Sequence, residues 1–219
     1  MFKGLMLLAA LAAATSSAAQ AQLVTNGGFE EPNVTNPCCI TSPPTDIPGW
    51  IATPNVNVVN GTFSSSPPNT NLALEGTQYL DLVGEGGTGS IQQDITTVVG
   101  QWYTLSFIYS HNLFAGLTSA SADVYLNNVL FASITHTGGN TGNLAWQTFA
   151  KDFLATGTTT NLKFVNTVGS TNEGVFLDAI SVAAVPEPAT WAMMLFGFAG
   201  IGMAMRRSDN RKGALAQIA

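Results

Sequence analysis

The segment Gln101–Ser110 alternates between apolar and polar side chains over its whole length. Successive side chains of a β-strand point to opposite faces of the sheet, so the alternation predicts a strand with one face turned to a core. The predicted core face carries Tyr103, Leu105, Phe107 and Tyr109. The opposite face carries Trp102, Thr104, Ser106 and Ser110, and it therefore holds a large aromatic side chain that the core does not need.

Seven further segments have strand-like composition and are bounded by residues that favour turns. They span residues 77–83, 90–98, 123–126, 129–134, 146–154, 161–168 and 174–182. Asn127 and Asn128 separate two of them and predict a tight hairpin turn, because Asn tolerates a positive φ. No convincing helix is found between Leu23 and Val185. Many short strands at this spacing predict an all-β fold over residues 22–184, a jelly roll or β-sandwich of two antiparallel sheets.

Residues 1–21 have the layout of a secretory signal peptide, which we expect to form a signal helix. A single positive charge at Lys3 precedes the apolar run Leu5–Ala14 and the small-residue end Ala19-Gln20-Ala21. This order predicts export and cleavage after Ala21.

A second targeting segment, residues 185–212, follows the predicted sandwich, and residues 213–219 form a short tail. Pro186 and Pro188 hold the stretch around Glu187 extended, because proline fixes its own φ and restricts the preceding residue. The uncharged run Trp191–Met205 would form a helix of about 22 Å, whereas a bilayer core is about 30 Å thick. A transmembrane helix over residues 190–205 would therefore be a marginal anchor.

The Pro-Glu-Pro box, the apolar run and the basic pair resemble the PEP-CTERM sorting signal, carried here by Pro186, Glu187, Pro188, Arg206 and Arg207. The resemblance implies processing by an exosortase-type transpeptidase in a Gram-negative bacterium. It also implies export across the inner membrane, a transient membrane anchor, and a final location at the cell surface or outside the cell. The basic pair favours the cytoplasmic side, which places the globular part outside. An ordinary tail anchor that is not processed is the alternative.

The predicted sandwich is strongly acidic. It contains eleven acidic residues and only two basic ones, Lys151 and Lys163, so its net charge is −9, against −6 for the whole chain. A surface of this sign repels phosphate backbones, which argues against nucleic acid as a partner. An acidic surface can instead bind divalent cations or face a cationic matrix.

Six short motifs occur in order along the body. They are Leu23-Val-Thr-Asn-Gly-Gly-Phe-Glu30, Pro48-Gly-Trp50, Glu75-Gly-Thr-Gln-Tyr-Leu-Asp81, Gly89-Ser-Ile-Gln-Gln93, Tyr103-Thr-Leu-Ser-Phe107 and Gly174-Val-Phe-Leu-Asp178. Together they resemble the galactose-binding-like jelly rolls of the DUF642 and choice-of-anchor type, which are related in fold to family 4 and family 22 carbohydrate-binding modules. The resemblance implies a fold but no particular ligand, because one fold hosts many functions.

In those jelly rolls the first and last strands lie side by side and share a structural calcium ion. By position, the resemblance assigns carboxylate ligands to Glu30 and Asp178, a carbonyl ligand to Gly28, and a further carboxylate to Glu75. Mixed carboxylate and carbonyl oxygens are the usual ligands of Ca²⁺. The alternative is that Glu30 only accepts amide hydrogen bonds at a strand end and Asp178 caps a turn.

The sequence favours a protein that is not an enzyme. His111 and His136 are predicted at loop edges and have no recognisable nucleophile beside them. No carboxylate pair is recognisable as a glycosidase site, and two scattered histidines do not make a zinc site.

The adjacent residues Cys38 and Cys39 lie in a Pro- and Thr-rich stretch that we expect to be a surface loop. A vicinal disulfide between them would be strained, because ordinary bridges need a larger Cα separation. A vicinal disulfide, cross-links to other chains and free thiols all stay open for an exported protein.

Trp102, Trp50 and Trp146 are the candidate ligand contacts, because flat aromatic rings stack on the C–H faces of sugars. The alternative for Trp50 and Trp146 is that they close the ends of the sandwich.

Two functions follow from these features. The body is either a module that binds extracellular polysaccharide or a structural envelope or biofilm matrix protein without a specific sugar ligand; a polysaccharide-active enzyme is a distant third.

Overall fold

The computed structural model describes residues 22–35, 39–42, 47–63, 72–84, 87–114, 116–170, 172–186, 194–203 and 206; for residues 39–42 it describes the backbone only. Within these residues, the body contains eleven strands. They are β1 (Cys39–Ser42), β2 (Ile51–Ala52), β3 (Val56–Asn60), β4 (Gln78–Asp81), β5 (Ser90–Thr96), β6 (Trp102–His111), β7 (Ser119–Leu126), β8 (Val129–Thr137), β9 (Gln147–Leu154), β10 (Thr159–Val168) and β11 (Val175–Ala184).

The strands form two antiparallel sheets. The six-stranded sheet has the order β1-β3-β4-β11-β6-β9, and the five-stranded sheet has the order β2-β5-β10-β7-β8. The predicted all-β sandwich of two antiparallel sheets is confirmed. All eight segments predicted from the sequence are strands, although β7 begins at Ser119 rather than at residue 123. The sequence prediction missed β1, β2 and β3.

The main core lies between the two sheets and follows the alternation of the strands. On β6, Tyr103, Leu105 and Phe107 are buried as predicted, and Trp102 on the other face is 52% exposed. Phe107 packs edge-on against Phe164 of β10 in the opposite sheet, with 5.2 Å between ring centroids. Burial of these rings supplies the main driving force for joining the sheets.

The predicted hairpin turn between β7 and β8 is confirmed. Asn127 and Asn128 have φ values of 51° and 62°. Two consecutive residues with positive φ form the turn that matches the right-handed twist of the flanking strands. The backbone N–H of Asn127 also donates to the carbonyl of Asn161, 2.9 Å away, which ties the turn to β10.

The C-terminal segment is helical over residues 194–203. Its apolar side chains, including Leu195, Phe196 and Met203, are exposed. Within the described residues, no helix is long and apolar enough to cross a membrane. The transmembrane helix predicted for residues 190–205 extends at both ends outside the described residues, and the structure does not support it.

Several sequence predictions concern residues outside the described ranges. These are the signal peptide (residues 1–21), the sorting residues Glu187, Pro188 and Arg207, and Cys38. Of the other sorting residues, Pro186 and Arg206 are both exposed. Cys39 begins β1, but its side chain is not described, so the state of the two cysteines stays a prediction.

Candidate functional site

A second layer of apolar side chains covers part of the outer face of the six-stranded sheet. Tyr79 on β4 and Phe176 on β11 point away from the main core, and their ring centroids are 4.7 Å apart. Val59, Leu72 and Leu144 complete this outer cluster and are buried with them. Two loops, one through Leu72 and one through Leu144, therefore fold over the sheet and leave a space between them.

Trp146 forms one wall of that space. Its ring meets Tyr79 edge-on with 5.7 Å between centroids, and its Nε1–H donates to the carbonyl of Leu72 at 2.9 Å. Ala145, the preceding residue, has a φ of 50°, a left-handed conformation that is costly for alanine. The Asn143 side chain stabilises this bend by accepting from the Ala145 N–H at 2.9 Å. The loop thus fixes the indole rather than leaving it mobile.

The space is a groove of about 280 Å³. Its walls are mostly apolar and are formed by Leu72, Ala73, Leu74, Gly142, Asn143, Leu144 and Trp146. Leu74 is 64% exposed at its rim. An apolar groove with an aromatic wall and an amide at its edge fits the surface of a sugar, whose C–H faces pack on apolar walls while its hydroxyl groups stay at the edge.

The structure separates the three tryptophans predicted to contact a ligand. Only Trp146 lines the groove. Trp50 is 3% exposed, packs against Phe29 in the main core and donates from Nε1 to the carbonyl of Asn26. The predicted ligand contact is therefore wrong for Trp50, because its ring is inaccessible. Trp102 is exposed but lies at the opposite end of β6 from the groove, roughly 25 Å away at about 3.3 Å per residue.

Three of the four predicted calcium ligands lie together beside the groove. Asp178 is fully buried, and its Oδ2 accepts from the N–H groups of Leu74 and Glu75 at 3.2 and 3.0 Å. A Cβ atom placed on Gly28 would lie 3.6 Å from each Glu75 carboxylate oxygen, so the Gly28 backbone is adjacent to this acid. Burial, together with a smaller effect of the Glu75 charge, raises the pKa of Asp178 to about 7 against the lowering effect of the amide donors.

Glu30, the fourth predicted ligand, has other partners. Its Oε1 accepts from the N–H groups of Thr77 and Gln78 at 2.8 and 2.9 Å, and its Oε2 accepts from the Thr77 hydroxyl at 2.8 Å. This is the hydrogen-bonding role that the sequence left open as the alternative, and Asp178 shares it, because its Oδ1 also accepts from the Ala179 N–H at 2.7 Å. No cluster of three or more Asp, Glu, His or Cys side chains that could hold a metal is found in the described part of the chain. Calcium stays a prediction.

The two histidines lie at strand ends beside loops, as the sequence predicted, and both side chains are buried. His111 ends β6 and His136 lies on β8, and their Nδ1 atoms are 2.6 Å apart. The Nε2 atoms lie 3.2 Å from the Leu117 carbonyl and 2.9 Å from the Ala145 carbonyl, an arrangement that suits an Nε2–H donor on each ring. The Nδ1 contact then needs one additional proton between the rings. Burial lowers the pKa of His111, and the charge on His136 lowers it further.

A second buried polar group, missed by the sequence analysis, surrounds Asp81 at the end of β4. Its Oδ1 accepts from the Val83 N–H at 2.9 Å, and its Oδ2 accepts from the Asn112 amide at 2.9 Å. Burial raises the pKa of Asp81 to about 8, and the nearby charge of Glu173 contributes to the rise. Glu173 itself is buried and accepts from the Leu117 N–H and the Ser170 hydroxyl.

Comparisons with solved structures found similar carbohydrate-binding modules at low scores. TmCBM61 in complex with beta-1,4-galactotriose is 15% identical, with a TM-score of 0.47 over 75% of this chain and 99% of that chain. A family 35 carbohydrate-binding module from Clostridium thermocellum is 17% identical, with a TM-score of 0.42 over 61% of this chain and 90% of that chain. A CBM4 structure is 17% identical, with a TM-score of 0.42 over 74% of this chain and 99% of that chain.

Comparisons with protein families gave two matches that together cover the described body and the C-terminal segment. The family described as "Protein of unknown function (DUF642)" matches residues 22–183, and the PEP-CTERM protein-sorting motif matches residues 184–208. No curated protein matches the chain. The resemblances noted in the sequence are thereby confirmed: the chain belongs to the DUF642 family and carries a PEP-CTERM sorting motif after its body.

Proposed function

We propose that the body of this chain is a non-catalytic module that binds polysaccharide at the cell surface or in the extracellular matrix. The observation that carries the proposal is the groove beside Trp146, with its apolar walls, its fixed indole and the Asn143 amide at its edge. Polysaccharide is the substance that such a groove suits best, because stacking on Trp buries apolar area without dehydrating every hydroxyl group.

The C-terminal motif supports the location. A PEP-CTERM motif implies export and exosortase-dependent sorting, and it follows the last strand directly. We propose that the apolar segment holds the protein in the inner membrane of a Gram-negative cell only until an exosortase-type enzyme removes it. The body then remains outside as the functional part.

A catalytic role is not part of the proposal. His111 and His136 are fully buried and engaged with each other and with backbone carbonyls, so neither reaches a substrate as a general base. Asp81 is buried as well, and both of its carboxylate oxygens are engaged by protein donors. We expect no turnover of a polysaccharide that the body binds.

A structural calcium ion belongs to the same proposal. Glu75, Asp178 and the Gly28 carbonyl would hold it and would fix the first segment of the body to β11. Such an ion would lower the cost of ionising the buried Asp178. It would supply no chemistry beyond this.

A glycan array probed with the body, with and without Ca²⁺, tests the proposal. We expect saturable binding that weakens about fivefold or more in Leu74→Ser, at the exposed rim, and in Asn143→Ala, which removes the amide at the edge together with the hydrogen bond that holds the bend before Trp146. Trp102→Ala is the matched control and should bind as the wild type does. Loss of binding in Trp102→Ala alone would move the site to the other end of β6. If the body binds no glycan on the array, a purely structural matrix protein is favoured. That function is consistent with the net charge of −9 on the body.

A further inference from the structure

The end of the sandwich from which the chain leaves the body, called here the exit end, is formed by three connections and the end of β11. Trp102 pairs with Leu154, Tyr103 pairs with Ala184, and Thr96 pairs with Thr159. Leu126 pairs with Leu162 near the start of β10, so the turns 97–101, 127–128 and 155–158 lie at one end. The chain is tied there as it leaves, because the Val185 N–H donates to the Trp102 carbonyl at 2.8 Å.

The exit end is apolar. Six of its large apolar side chains are between 44% and 69% exposed: Val98, Val99, Trp102, Val129, Leu130 and Leu154. In the rest of the described body only Ile51, Leu74 and Val168 are exposed large hydrophobic residues. Single exposed apolar residues are normal on a protein surface, but a concentration of this kind marks a contact with something else.

The segments that form the exit end contain no charged residue of their own, and the exposed Asp94 beside them accepts from the Asn161 amide at 2.7 Å. Residues 95–102, 126–130, 154–160 and 182–186 contain no Asp, Glu, Lys, Arg or His, although the body as a whole has a net charge of −9. An acidic surface is repelled by anionic lipid headgroups, and a charged group is costly to bring into the interfacial region. These uncharged segments are thus the part of the body that a bilayer would tolerate.

The position of the C-terminal segment identifies the occupant of this surface. Met194, the first described residue of the apolar helix, lies nine positions after Val185. Nine residues span about 30 Å at most. A helix seated in a bilayer would therefore hold the exit end close to the lipid surface. Trp102 is of the residue type that favours the headgroup region.

We infer that the exit end is a membrane-contact surface, which rests on the headgroup region of the bilayer while the C-terminal segment is still attached. The inference rests on the proposed seating of that segment in the membrane and not on polysaccharide binding. It gives the uncleaved protein a fixed orientation. The sorting motif emerges at the membrane surface, and the end with Asp81 and Glu173 points away from it.

The test uses the full chain with phosphatidylcholine vesicles and two readouts. Amide hydrogen exchange should slow on vesicle addition in residues 97–101, 127–128 and 155–158, and should stay unchanged in the loop 138–144 at the other end. In flotation, Val98→Ser/Val129→Ser should weaken partitioning about tenfold, because both side chains lose apolar contact with lipid. The matched control Ile51→Ser/Val168→Ser removes similar exposed apolar groups elsewhere and should partition as the wild type does.

Three results would overturn the inference. If vesicles protect only the C-terminal segment, that segment holds the protein alone and the exit end is free of lipid. If the exit end becomes protected with rising protein concentration and no vesicles, a second copy covers it. If neither the chain nor its variants float with vesicles, the seating of the segment fails as well. The glycan array contains no lipid, so each of these outcomes is distinguishable from a failure of polysaccharide binding.

Discussion

Replacing Asp81 by asparagine should change how the stability of the body depends on pH. Asp81 is 3% exposed, and burial raises the pKa of its carboxyl group from 3.8 to about 8. The folded protein therefore holds this proton more tightly than the unfolded chain does. The bound proton therefore contributes to the free energy of unfolding. This contribution is complete below about pH 4, decreases as the pH rises, and is lost above about pH 8.

The expected size of the effect follows from that pKa range. A rise from 3.8 to about 8 corresponds to a loss on the order of 6 kcal/mol between the two limits, at about 1.4 kcal/mol per pKa unit. An asparagine side chain cannot ionise, so Asp81→Asn should not show this part of the loss. The substitution should cost about 1 kcal/mol at low pH, because the new amide would face the Asn112 amide that now donates to Asp81 Oδ2.

Urea unfolding of the wild type and Asp81→Asn at a series of pH values measures the difference. We expect the variant to be the less stable protein near pH 4 and the more stable one near pH 8. Asp94→Asn removes the same charge from an exposed position and should follow the wild type. Parallel curves for the wild type and Asp81→Asn between pH 4 and pH 8 would refute the reasoning, because the carboxyl group would then titrate alike in both states.

Three further predictions concern other parts of the body. Asn128 has a φ of 62°, which glycine adopts freely and valine does not. In urea unfolding, Asn128→Gly should therefore raise the free energy of unfolding by about 0.5 kcal/mol, and Asn128→Val should lower it by about 1–2 kcal/mol. The reverse order would contradict the turn assignment. The 2.6 Å contact between His111 and His136 should give a strongly downfield exchangeable proton resonance that disappears in His136→Phe, and its absence in the wild type would show that no proton is shared. Added Ca²⁺ should raise the melting temperature of the wild type but not of Glu75→Gln, whereas an equal rise in both would exclude Glu75 as a ligand.

The sequence predicted the strands whose alternation is set by the main core. The pattern on β6 is an example, because Tyr103, Leu105 and Phe107 meet the opposite sheet and Trp102 does not. The first three strands were missed for a different reason. The β1 and β2 strands are short and lie in a Pro-rich stretch, and β3 owes its place to pairing with β4, a long-range contact that composition does not reveal.

The groove and the buried polar groups could not be predicted in the same way. Tyr79 and Phe176 lie on the outer face of their sheet, where alternation predicts contact with water, yet two distant loops bury them. Burial of Asp81, His111 and His136 likewise depends on segments far apart in the sequence. The motifs placed Gly28, Glu75 and Asp178 together because they reflect a shared fold, but only the structure shows that amide donors occupy the Glu30 carboxylate.

The central claim is that polysaccharide binds in the groove beside Trp146, and ¹⁹F NMR of protein labelled with fluorotryptophan tests it most directly. Single Trp→Phe variants assign the resonances. On addition of a polysaccharide that the array identifies, the Trp146 resonance should shift saturably, while the resonances of the buried Trp50 and the distant Trp102 stay in place. A saturable shift at Trp102 with no change at Trp146, or no shift at all, would contradict the claim.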